Sequence, residues 1–408
     1  MELFTHTFPN GIRLIHHKTL SPVGHCGLMI NTGSRDEKES EHGMAHFIEH
    51  VIFKGTQKRK TYHILSRIDD VGGELNAYTT KEETCIYASF LMQDYDRALE
   101  LLHDITFNST FPAKELEKEK EVIIDEINSY KDNPSELIID DFEELIFNKD
   151  PMGRNILGTP EMLTTFEQKD IKKFIRNNYH TDQMVICSVG QMEPAKVLRI
   201  ASKYFKDVPA NHRTQKRPIT LPYQPRSMDK KMDTFQSHIV LGNVAYDLDH
   251  PKRFGLLLLN NIIGGPGMNS RLNMALREKN GIAYNIESIY TPYYGTGIFC
   301  IYFGTDEENI NRSLRIVHRE LKRLRETRLG KLQLHNAVRQ LKGQITIANE
   351  NRENLMLSIG KSYMMYNKVD SLEETYQKID SITSEDLMHI ANEVFDPALL
   401  SYLIYRQS

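Results

Sequence analysis

Apolar positions recur along the chain with two periods, and the switches between them predict its elements. Leu3–Phe8 and Ile12–His16 alternate on either side of Pro9-Asn10-Gly11, and Asn-Gly between two such runs predicts a hairpin. A third strand is expected at Gly27–Thr32. Helical patterning then starts near Glu41 and returns over Tyr62–Val71. Two strands follow, Glu74–Thr80 and Glu83–Met92, and then helices near 94–108, 113–131, 135–147 and 167–179. Met184–Gly190 is an apolar run of strand length, and 194–205 is again helical.

Residues 207–227 change character. Four of the chain's 15 prolines fall there among polar and basic side chains, as expected of an interdomain linker. Beyond it the order of elements partly repeats. GGELNAYTTKEETCIYASFL gives two strands before the helix DYDRALELLHDI, and GIAYNIESIYTPYYGTGIFCIYF gives two strands before NINRSLRIVHREL. The match lies in element order and apolar pattern, not in identity. The expected fold is therefore α+β, with two structurally similar domains, each a mostly antiparallel sheet covered by helices. Residues 1–206 form the first domain, 207–227 the linker and 228–408 the second, which adds long helical patterns at 330–349 and 352–366.

Composition narrows the function. A length of 408 residues suits two or three domains and allows a sizeable core. With 51 Lys+Arg against 55 Asp+Glu, the net charge of −4 excludes an electrostatic nucleic-acid binder or a polybasic membrane clamp as the default. The first residues lack the unbroken apolar core of a signal peptide, and no run of 18 apolar residues occurs. Cys26, Cys85, Cys187 and Cys300 are scattered without a CxxC pair, which suits a reducing, cytoplasmic setting. Cys85, inside an apolar strand, reads as core and not as a nucleophile. Gly264-Gly265-Pro266-Gly267 lacks the Lys-Ser/Thr of a phosphate loop and reads as a turn.

The candidate chemistry lies in EHGMAHFIEHVIFKGT. On a helix, His46 and His50 are four apart and leave one face about a turn from each other, so two imidazoles can grip one metal ion. Such pairs also arise by chance. Here Glu49 sits beside the same face, and Phe47, Ile48, Val51 and Ile52 supply an apolar wall to hold the helix against a sheet. A zinc site needs a third protein ligand and an open position for water. The best donor region is FPAKELEKEKEVIIDEINSY, where Glu119 and Glu126 are two helical turns apart on one face. A solvated Glu/Lys helix explains Glu115 and Glu117 well, and Glu126, embedded in IIDEI, less well.

HFIEH followed 76 residues after His50 by Glu126 (126 − 50 = 76) resembles the pitrilysin/insulin-degrading enzyme/mitochondrial processing peptidase family, whose HxxEH reverses HExxH. NTGSRDE, FKGT, GGELNAYT, EKEKEVIIDEI and NSRLNMALREKNGIAY fit the same family, so the resemblance spans essentially the whole chain. It implies that His46, His50 and Glu126 hold one Zn2+ per chain and that Glu49 is the catalytic base, with Glu119 the acidic residue behind them. Arg277 and Tyr284 match the family's substrate-assisting pair, and Asn76, Ala77, Tyr78 and Thr79 fall on the strand along which its substrates pair.

The implied function is a zinc-dependent metalloendopeptidase acting on short or unfolded polypeptides through a metal-activated water, with Glu49 as general base. No nucleic acid and no membrane are expected as partners. The HxxEH half-site and the Arg277/Tyr284 half-site lie in one chain, so a homodimer is the simpler expectation. The alternative is a subunit of a family heterodimer with a processing or structural role.

Overall fold

In the computed structural model, which describes residues 2–218 and 220–407, the strands build two sheets. The first contains β1 (Leu3–Thr7), β2 (Arg13–Lys18), β3 (Val23–Ile30), β4 (Glu74–Thr79), β5 (Thr84–Leu91) and β6 (Met184–Gly190). The second contains β7 (Ser227–Met232), β8 (Ser237–Val244), β9 (Ile286–Tyr293), β10 (Thr296–Thr305) and β11 (Ser401–Gln407). Their orders are β1-β2-β6-β3-β5-β4 and β7-β11-β8-β10-β9.

Set strand against strand, the second order reproduces β2-β6-β3-β5-β4 of the first. The sense of pairing agrees as well. β2 with β6 and β7 with β11 are parallel, and the other pairs are antiparallel. The repeat expected from the apolar pattern is therefore a repeat of topology, with β1 as an added edge strand.

In the first half the helices are α1 (Met44–Val51), α2 (Thr61–Asp69), α3 (Tyr95–Phe107), α4 (Ala113–Lys131), α5 (Pro134–Phe147), α6 (Pro160–Thr165), α7 (Gln168–Asn178) and α8 (Pro194–Phe205). In the second they are α9 (Arg253–Gly264), α10 (Ile310–Glu326), α11 (Lys331–Ala348), α12 (Arg352–Tyr366), α13 (Leu372–Asp380) and α14 (Ser384–Val394). Among the described residues, no helix is long and apolar enough to cross a membrane.

The chain forms two compact units, and neither is contiguous in sequence. The first takes residues up to Ile127, Arg154–Arg217 and Thr346–Ser371. The second takes Asn128–Gly153, Pro218–Ile345 and the chain from Leu372 onward. The boundaries expected at 206 and 228 thus miss two segments, each centred on a helix. α12 lies in the first unit, where Leu355, Met356 and Ile359 pack on Met29, Val185 and Cys187. α5 lies in the second, where Ile138, Phe142 and Ile146 pack with Val240, Leu403 and Tyr405. The central strands explain the need for these helices. All seven residues of β6 are buried, so the sheet must be covered on both faces. The expected linker is also tied down. Arg213 Nη2 donates to the Asn31 carbonyl (2.7 Å), Arg217 Nε to Asp36 Oδ1 (2.9 Å) and the Tyr223 hydroxyl to the Leu399 carbonyl (2.7 Å).

Candidate metal centre

α1 is a short helix with a divided surface. Met44, Ala45, Phe47, Ile48 and Val51 are buried in the first unit's core, and Glu49 and His50 are half-buried. The string before it, NTGSRDE, anchors its start. Both oxygens of Glu37 accept backbone N–H groups there, from Gly43 (2.9 Å) and Ala45 (2.8 Å). These are donors that a helix start leaves without an intrahelical partner, and no side chain of the N-cap residue serves them. Gly43 has φ +92° and a Cβ there would fall 2.8 Å from Gly158 Cα, so the loop from Arg154 to Gly158 clamps the same end. Arg154 Nη1 donates to the Glu37 carbonyl (2.8 Å), and His42 Nε2 bonds the Asn155 carbonyl (2.9 Å). Burial pushes the Glu37 carboxyl up to about 8, against the pull of the two N–H donors and of Arg154.

α4 brings Glu119 and Glu126 to α1. Glu126 Oε2 lies 3.7 Å from His46 Nε2 and 3.4 Å from His50 Nε2. The imidazole centroids are 4.7 Å apart and edge to face. Each of the three residues offers one ligand atom, and these atoms all lie within 4.8 Å of one another. Bonds of about 2.0–2.2 Å in a tetrahedron need ligand atoms about 3.3–3.6 Å apart, close to the two distances from the Glu126 oxygen, so the donor set suits zinc. Two imidazoles and one carboxylate also match the donor types of zinc sites that keep a fourth position open.

A further layer orients His50. Its Nδ1 lies 3.4 Å from Glu119 Oε2, so a neutral ring that donates there keeps its Nε2 lone pair for a metal. Glu119 Oε1 in turn receives Lys54 Nζ (2.7 Å). Among the described residues His46 has no such support, since its Nδ1 is buried without a hydrogen-bond partner. Burial lowers the His46 pKa, and neighbouring His50 lowers it further. The hydrogen bond from His50 lowers that of Glu126. Burial raises the pKa of Glu49, opposed by the Thr79 side chain and by His50.

The structure thus gathers His46, His50, Glu126, Glu119 and Glu49. Asn76, Ala77, Tyr78 and Thr79 fall on β4, which is an edge of its sheet. Arg277 and Tyr284 belong to the second unit and line one cavity of about 420 Å³ together with Glu136, Glu287 and Tyr302. Arg277 is presented by a π-helical turn, Asn273–Glu278. Sequence reasoning missed Glu37, Lys54 and Arg154. The first two stand in the strings NTGSRDE and FKGT, which flank the motif without disclosing their partners.

Comparison with known proteins matches the chain to a family. Residues 14–160 match the model of the insulinase family, peptidase family M16, and residues 165–341 match the model described as the peptidase M16 inactive domain. An uncharacterized zinc protease of Bacillus subtilis, YmxG, is 30% identical over 96% of this chain and 95% of its own length. The mitochondrial-processing peptidase subunit beta of Saccharomyces cerevisiae is 29% identical over 95% of this chain and 87% of its own. The crystal structure of a protease from Helicobacter pylori shares the fold, with a TM-score of 0.91 at 20% identity over 99% of both chains. The chain belongs to the insulinase family, peptidase family M16.

Proposed function

We propose that the protein is a cytoplasmic zinc metalloendopeptidase that hydrolyses peptide bonds in short or unfolded polypeptides. The observation that carries this reading is the convergence of His46, His50 and Glu126 beside Glu49. The Nε2 atoms of both histidines and the Glu126 carboxylate would hold one zinc ion per chain. Bound there, zinc supplies Lewis acidity and draws the pKa of a water towards about 7. The Glu49 carboxylate takes a proton from the attacking water and returns it to the leaving amine. Its burial raises its proton affinity, which suits a group that must hold a proton between two transfers. Glu119 fixes the His50 ring from behind. The substrate adds to β4 as a further strand, so backbone groups of Asn76, Ala77, Tyr78 and Thr79 supply sequence-tolerant affinity.

Arg277 and Tyr284 hold the substrate and stabilise the developing oxyanion, and in a homodimer they serve the partner's metal site. Four free, buried cysteines accord with a reducing compartment. Similarity to a protein named as a subunit favours one second reading, a chain that works with a non-identical partner. A solution mass near twice 47.3 kDa for the pure protein selects the homodimer.

The test is a pair of substitutions read by metal content and peptidase turnover. Glu49→Gln is expected to keep zinc and lose most activity, and His50→Ala to lose zinc. Near-wild-type turnover in Glu49→Gln, or full zinc in His50→Ala, would overturn the assignment. For the shared site, a heterodimer of Glu49→Gln with Tyr284→Phe is expected to recover about half the normal activity, since one of its two sites is then wild type.

A further inference from the structure

The π-helical turn Asn273–Glu278 of the second unit has a second side. Through Asn273 and Arg277 it lines the cavity that holds Tyr284. Through Met274 and Ala275 it walls another cavity of about 420 Å³. Arg271, Lys279, Arg323 and Arg328 line that space with one carboxylate, Glu320, so the lining carries 4 − 1 = +3 charges in a chain whose net charge is −4.

The local carboxylates account for only two of these four cations. Glu320 is buried and receives Arg323 Nη1 (2.8 Å), and Arg328 pairs with Glu385 (2.9 Å). Arg271 is half-buried, and among the described residues its guanidinium makes no hydrogen bond or ion pair; neither does the Lys279 ammonium. Burial lowers the Arg271 pKa, Glu320 opposes this and Arg323 adds to it. A half-buried guanidinium with no hydrogen-bonded carboxylate is unfavourable until an anion enters.

We propose that this cavity is a binding site for phosphate-class oxyanions, with Arg271 as its central ligand. Planar guanidinium forks match the oxygen pairs of phosphate, and Lys279 adds a mobile point charge at the rim. With Arg323 and Arg328 each matched by a carboxylate, the two cations left, Arg271 and Lys279, suit a multiply charged phosphate or pyrophosphate better than a singly charged carboxylate. Among the described residues no aromatic side chain lines the cavity, so no aromatic ring is placed to stack a nucleobase.

The experiment is calorimetric titration of the full-length protein with pyrophosphate at fixed ionic strength, repeated with ADP. Saturable binding is expected, and Arg271→Gln weakens it by about tenfold or more, the scale of a lost charge-assisted hydrogen bond. Lys279→Ala, at an exposed position, weakens it by about threefold and serves if Arg271→Gln fails to fold. Arg271→Gln leaves the residues of the metal centre in place, so any heat from pyrophosphate acting on zinc persists in that variant and is subtracted. Lys322→Ala, on the exposed face of α10, is expected to bind as wild type. ADP is expected to bind no more tightly than pyrophosphate. Absence of saturable binding at millimolar concentration, wild-type binding by Arg271→Gln, an equal loss in Lys322→Ala, or a strong preference for ADP would each overturn the proposal.

Discussion

The two sheets share strand order and pairing sense, yet the helices that follow their matching strands differ in kind. After β3 comes α1, with His46, Glu49 and His50. After β8 comes α9, whose RFGLLLLNNIIG buries Leu256, Leu258, Leu259 and Ile263 in an apolar core. The helix after β5 and α3 is α4, bearing Glu119 and Glu126, and its counterpart after β10 and α10 is α11, which buries Ala337 and Leu341. One scaffold therefore serves two purposes. A helix that only packs needs apolar contacts. A helix that presents imidazoles and a carboxylate also needs polar supports, which the first unit supplies through Glu37, Glu119, Lys54 and Arg154.

This contrast is open to attack from either side. Leu259→Ala removes a fully buried side chain from α9 and is expected to cost about 2–5 kcal/mol, seen as a lower urea midpoint. Zinc bound per folded chain should not change. Zinc loss in that variant would mean that packing of the second unit is not separable from the metal site. Glu37→Ala makes the opposite demand. It strips two backbone N–H···O bonds from the start of α1, for about 2 kcal/mol, and should lower zinc affinity with stability because the anchored helix carries both histidines. Unchanged zinc affinity in a folded Glu37→Ala protein would break the link between that anchor and the site.

Glu119→Gln separates orientation from architecture. Its oxygens hold His50 Nδ1 and Lys54 Nζ, and losing the carboxylate frees the ring without opening a cavity. Zinc affinity should fall by about 10- to 100-fold, the usual effect of removing a carboxylate behind a histidine ligand. The melting temperature of the metal-free protein should barely move. Competition with a coloured chelator measures the first quantity and calorimetry the second. A large loss of apo-protein stability with unchanged affinity would make Glu119 a structural residue.

Much of this is legible in the sequence. The Asn-Gly hairpin, the 113–131 helix and the strand Met184–Gly190 follow from period and punctuation, because each buries one clear face or both. The two histidines are legible for the same reason, since a four-residue spacing on a helix fixes a shared face; the seven-residue spacing puts Glu119 and Glu126 together, and only the family resemblance chooses between them. Two things are not legible. Periodicity says that α5 and α12 are amphipathic but not which sheet each covers, so the contiguous halves expected from the linker's composition missed both. The role of Glu37 was hidden as well. It depends on a tertiary contact made by backbone N–H groups six and eight residues on, and no spacing rule marks an acceptor for them. α1 also starts later than its pattern suggests, because Glu39–Glu41 form a 3-10 turn.

The smallest expected effect compares one glycine in a covering helix of each unit. Alanine in a helix interior gains up to about 1 kcal/mol over glycine, so the outcome rests on what the new methyl meets. At Gly360 in α12 a Cβ would lie 2.7 Å from Met29 Sδ, 2.8 Å from Cys187 Cβ and 2.9 Å from Cys187 Sγ. Cys187 sits in a strand paired on both sides, so its Cβ cannot retreat without moving backbone. Overpacking of about 1–3 kcal/mol should then exceed the helix gain, leaving Gly360→Ala destabilised by about 1 kcal/mol. At Gly255 in α9 the nearest atom is Ile390 Cδ1, 2.3 Å away, and the next lies at 3.8 Å. That methyl is the far end of a flexible side chain and can turn aside, so gain and cost should cancel to within about 0.5 kcal/mol. Urea midpoints of the two variants decide the matter. Equal destabilisation would mean that the leucine-lined face of α9 is as rigid as the cysteine-lined face under α12, and the difference argued here between their covering helices would fail at the level of packing.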